Sequence, residues 1–161
     1  MPLFSKKPTR FAIGDAEHPA ILREVYRLYF KKCDTVLGDI RFASLLAPHF
    51  SQLAGDLSAL ASEALPLLSQ AEAMLPAELA RKEITDATEQ APAVSLENAH
   101  AVALAYCKNR LQTVKSEQAA VRRLQQFAKS VQTQGLLARW QEHLCEENTF
   151  LLHIEKRLSL S

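Results

Sequence analysis

The chain has 161 residues, enough for one domain with a substantial core. Its 48% apolar and 23% charged residues are ordinary for a globular protein and exclude a disordered or collagen-like chain. A formal net charge of +1 leaves no global field to draw it to nucleic acid or an anionic membrane, and no stretch approaches the roughly 18 apolar residues of a membrane span.

Only four glycines are present, and Ala, Leu, Glu, Gln, Arg and Lys dominate. The expected fold class is therefore all-α. Residues 1–14 read as a flexible basic tail without the apolar run of a signal peptide, and 15–161 as a single helical-bundle domain. Cys33, Cys107 and Cys145 are odd in number and far apart. This implies reduced thiols in a cytoplasmic protein, with no disulfide framework or structural zinc.

Helix A begins between Asp15 and Pro19, with Pro19 suited to the first helical position, where its missing N–H is not needed. Leu22, Val25, Tyr29, Cys33, Val36 and Ile40 recur at steps of three and four, so they predict one buried face. Pro48 ends this segment. Helix B carries Phe50, Leu53, Leu57, Leu60, Ala64, Leu67, Ala71 and Met74 as a heptad seam. Pro66 inside it removes the bond to the Ser62 carbonyl and so kinks or restarts the helix. A polar stretch from Pro76 to Val94, with room for a short helix at Ala77 to Ile84, can cross the length of a bundle.

Helix C begins at Ser95 as N-cap, with Glu97 in its first turn, and runs to about Val131. Helix D runs from about Leu136 to Leu158 along Leu137, Trp140, Leu144, Glu147, Leu151, Ile154 and Leu158. The apolar faces of C and D differ by roughly 110° about the helix axis, so one straight helix cannot bury both. A turn at Thr133 to Gly135, with Gly135 ending helix C, resolves the conflict. The architecture expected is an up-down four-helix bundle of two antiparallel hairpins, A/B and C/D, joined by a long B–C connection.

Nucleotide-binding, hydrolase, calcium and zinc-protease motifs are absent, so nothing in the sequence names a catalytic residue, and enzyme activity is not expected. Cys145 sits on the outer side of helix D beside Glu146, which disfavours a thiolate. Capping and surface roles are expected for His18, His49, His100, His143 and His153. Lys108, Lys115, Arg122 and Lys129 repeat every seven residues of helix C as a basic stripe, more than about 100° from its apolar face. The stripe serves as a solvated face or as the contact for an acidic protein partner or a polyanion. It lacks the interleaved aromatics that single-stranded nucleic acid would need.

Two carboxylates interrupt the apolar seams, Glu117 on helix C and Glu147 on helix D. With a turn at Thr133 to Gly135 they lie within one helical turn in height, and both need neutralising. Arg110, two turns before Glu117, and His143, one turn before Glu147, complete a buried polar cluster of Glu117, Glu147, Arg110 and His143 without metal. The layout of two hairpins and inward carboxylates resembles ferritin-like bundles. That resemblance implies an alternative in which Glu117, Glu147 and His143 hold iron or manganese in a metal-binding protein or oxidoreductase. The sequence departs from the family pattern at Phe150, where a histidine three after Glu147 is expected, and at Pro66, three after Glu63. The leading expectation is a non-enzymatic bundle acting by protein–protein interaction or self-association.

Overall fold

The computed structural model describes residues 17–75 and 96–160, and these are all-helical. The helices are α1 (Pro19–Leu46), α2 (Ser51–Ser62), α3 (Leu65–Met74), α4 (Leu96–Phe127) and α5 (Val131–Ser159). The basic tail, the whole B–C connection with its short helix at Ala77 to Ile84, and the Ser95 cap lie outside the described residues. None of the helices is long and apolar enough to cross a membrane.

α1 starts where sequence placed it. Pro19 enters at the first turn, and the His18 imidazole caps the end by accepting from Ala20 N–H at 3.1 Å. Its buried face differs from the expected one. Ile40 is 43% exposed, and Leu28, Lys32, Asp39, Phe42, Ala43 and Leu46 are buried with Val25, Tyr29, Cys33 and Val36. The stripe passes from Val36 to Asp39, a step of three, rather than to Ile40, a step of four; the charge on Asp39 concealed this.

The helix B seam is one buried line from Leu53 to Met74, with Phe50 half-buried, although the helix restarts midway. Glu63 and Ala64 form the break, and Pro66 falls in the first turn of α3, where it sacrifices no hydrogen bond. Ala64 keeps a near-helical backbone, φ −75° and ψ −19°, so the apolar line carries across the break.

α4 and α5 are separate helices, as the phase conflict requires, but the turn is Ala128–Ser130 rather than Thr133–Gly135. Ser130 supplies the reason. Its hydroxyl accepts from Thr133 N–H at 2.9 Å and makes a standard N-cap, and Gln134 Nε2 closes the end of α4 on the carbonyls of Gln125 and Ala128. The Glu17 carboxylate accepts from the backbone N–H groups of Lys129 and Ser130, placing an anion at the N-terminus of α5. Gly135 is an interior helix residue. Contacts between α4 and α5 step evenly outward from the turn, from Trp140–Glu117 to Arg110–Glu147 to His100–Leu158, which makes the pair antiparallel.

The turn position yields a paired prediction, read from urea midpoints. Ser130→Ala costs about 1 kcal/mol through loss of the cap. Gly135→Ala gains about 0.5–1 kcal/mol, because an added Cβ meets only Arg139 Nη2, at 3.8 Å. A destabilising Gly135→Ala would return the turn to Gly135.

Candidate functional site

The described core contains an unusual density of buried charge: Lys32 and Asp39 from α1, Arg110 and Glu117 from α4, and His143 and Glu147 from α5. Each is placed by the inward face of its helix at steps of seven or four, with Lys32 and Asp39 seven apart, Arg110 and Glu117 seven apart, and His143 and Glu147 four apart.

Lys32 Nζ lies 2.7 Å from Glu147 Oε1 and 3.2 Å from Glu117 Oε2, and so bridges α5 and α4 from α1. Arg110 donates from Nε and Nη2 to the two oxygens of Asp39 at 3.0 and 3.3 Å, and from Nη2 to Glu147. His143 Nε2 is 3.2 Å from Glu147 Oε1, one turn away on the same helix. Two neutral donors complete the set: Trp140 Nε1–H gives to Glu117 at 2.6 Å, and the Tyr106 hydroxyl gives to Asp39 while its ring stacks on Phe42.

The electrostatics follow from these partners. Burial alone would raise the Glu147 carboxyl; the His143 hydrogen bond and the charges of Lys32 and Arg110 outweigh it and hold the group well below the usual carboxylate range. Burial works to lower the Arg110 pKa, but Asp39 and Glu147 raise it, keeping the guanidinium charged. Burial and the Asp39 charge push the Tyr106 phenol up, so it remains a donor. Cys107 is pushed up to about 11 by burial and by the charges of Glu155 and Asp39, and is no nucleophile at neutral pH.

The structure therefore brings together Glu117, Glu147, Arg110 and His143, and adds Lys32 and Asp39. One expected relation is corrected. With the turn at Ala128–Ser130, Glu117 pairs at the level of Trp140 and Glu147 at the level of Arg110, about two turns apart in backbone height. Their carboxylates still converge, because both reach Lys32. The interior donor set considered for iron or manganese, Glu117, Glu147 and His143, does not fit a cation as it stands: the Lys32 ammonium already lies against both carboxylates. Lys108, Lys115, Arg122 and Lys129 are all exposed and have no ion-pair partner among the described residues. Cys145 and His153 are exposed. Comparison with models of known protein families, with curated proteins and with solved structures finds no match.

Removing the shared cation leaves two buried carboxylates facing each other. Lys32→Met is expected to cost about 3–5 kcal/mol in urea unfolding. Adding Glu117→Gln, which keeps an acceptor for Trp140 but deletes a charge, should recover part of that loss. A Lys32→Met protein of wild-type stability would refute the bridging role.

The pH dependence has a defined sign. A carboxyl depressed in the folded state contributes fully above the unfolded value of about 4.3. Its contribution is lost as pH falls from there through the depressed folded value. Stability should therefore decline steeply below about pH 4, and less steeply in Glu147→Gln, as followed by melting temperature against pH.

Proposed function

We propose that this chain is a non-enzymatic helical-bundle protein that works through protein–protein contact, and that its partner is a second copy of itself. The observation that carries this reading is the division of charge between exposed faces. Between residues 98 and 127, α4 carries Lys108, Arg110, Lys115, Arg122 and Arg123 against one carboxylate, Glu117. Arg110 and Glu117 are buried, so the exposed charge of that segment is all positive. α2, α3 and the break between them carry exposed Asp56, Glu63 and Glu72 and no Lys or Arg.

α4 packs on α1 and α5, and α3 packs on the same two helices. From this we infer an up-down four-helix bundle in which α2 and α3 together form one arm, diagonal to α4. The basic face of one copy can then meet the acidic face of the next while leaving its own acidic face free, a heterologous head-to-tail contact. Attraction between exposed faces steers such encounters and is screened by salt. The interior metal chemistry of ferritin-like bundles is not part of this reading, since Lys32 and Arg110 satisfy the carboxylates. Three cysteines outside any disulfide suit a reducing compartment, and we place the protein in the cytoplasm.

Sedimentation velocity tests the proposal. In about 20 mM salt the sedimentation coefficient should rise with protein concentration, and the rise should vanish in about 0.5 M salt. The combined Lys108→Gln, Lys115→Gln, Arg122→Gln and Lys129→Gln variant should remain monomeric with an unchanged urea midpoint, because exposed charges contribute little to folding. A wild-type chain that stays monomeric at hundreds of micromolar in low salt overturns self-association.

A further inference from the structure

Glu63 stands at the α2–α3 break, held there because Pro66 forces the helix to restart. This brings its carboxylate against the middle of α5. Glu63 and Glu146 each offer an oxygen, and His143 a ring nitrogen, with all three atoms within 4.8 Å of one another. His143 and Glu146 are three residues apart and share one face of α5. The three residues line a surface groove together with Pro66, Leu67 and Arg139.

The imidazole is the part of this set that is built rather than incidental. His143 is 6% exposed, whereas both glutamates are exposed. Its Nε2 is held by Glu147 Oε1 at 3.2 Å, and Glu147 is itself pinned by Lys32 and Arg110. The other ring nitrogen has no hydrogen-bond partner among the described residues. A carboxylate behind an imidazole is the usual support of a metal-ligating histidine: it fixes the ring and keeps the lone pair on the opposite nitrogen.

We propose that Glu63, His143 and Glu146 form a binding site for a divalent transition cation, Zn2+ foremost. One imidazole and two carboxylates match Zn2+ better than Mg2+ or Ca2+, which favour all-oxygen surroundings. Two carboxylates neutralise the ion, and a fourth position remains for water. A tetrahedral Zn2+ needs its ligand atoms about 3.4 Å apart. Closing the set to that distance is a rotamer change for two exposed side chains. The ion would tie the α2–α3 break to α5. Glu63 also belongs to the acidic face proposed for self-association, so the titration is done in about 0.5 M salt, where that contact is screened.

Calorimetric titration of the tag-free full chain with Zn2+ tests this, alongside its melting temperature with and without the metal. One Zn2+ per chain is expected, with a melting temperature that rises as Zn2+ is added. Glu63→Gln and Glu146→Gln should each weaken binding at least tenfold, with helical content intact by circular dichroism. Glu97→Gln and Cys145→Ser should bind as the wild type does. Binding that does not saturate at one equivalent, that persists in both Glu→Gln variants, or that is lost in Cys145→Ser overturns the site.

Discussion

Three helices meet at one carboxylate. Glu147 is 2% exposed and touches Lys32 from α1, Arg110 from α4 and His143 from its own helix. A lone carboxylate in that position would protonate or unfold the core, since desolvating a charge costs far more than one hydrogen bond returns. It stays ionised because the cations arrive together, and they arrive together only when α1, α4 and α5 hold one register. Apolar seams slide with little penalty for a shift of one heptad. A seam with Lys32, Arg110 and Glu147 in it does not, because a slip of seven residues would set Lys32 and Arg110 against Trp140 or Ile154 in place of Glu147.

The network also decides what the interior can do. Two permanent cations, Lys32 and Arg110, face three carboxylates, Asp39, Glu117 and Glu147, and His143 becomes a third cation only when protonated. Every carboxylate is engaged by side chains of the same chain, and Tyr106 and Trp140 take up further lone pairs. Such a cluster holds helices in place. Its carboxylates offer no open ligand position of the kind that an interior metal centre uses.

The helical class, the separation of α4 from α5 and four of the six buried charged residues could be read from periodicity. Glu117 and Glu147 stood out because each interrupts an otherwise apolar seam, and Arg110 and His143 because they lie on those same faces. Lys32 and Asp39 were hidden by the same rule working in reverse. On α1 the apolar Ile40 continues the three-and-four pattern after Val36, so hydrophobicity alone selects it over Asp39. The available signal was a deficit: two seam carboxylates call for more cations than helices C and D supply, and only a buried lysine elsewhere could meet it. The turn was misplaced for a related reason. Gly135 is the more conspicuous punctuation, but Ser130 has Thr133 three residues on to donate its N–H, and a satisfied cap outweighs a glycine that helical backbone tolerates for about 1 kcal/mol. That five-residue displacement moved Glu117 and Glu147 from one level to two.

Pro66 links the core to the surface. A continuous helix B would carry Glu63 along an unbroken outer face, but the restart at Leu65 sets Glu63 at a corner beside α5. There it approaches His143, whose Nε2 is held by Glu147. The side chains that fix helix register inside the bundle therefore also hold the imidazole of His143 at its edge. Lys32 and Arg110 act at a distance of one residue more: by keeping Glu147 ionised they keep it an acceptor for the ring, so they bear on the geometry of a surface groove that neither of them lines.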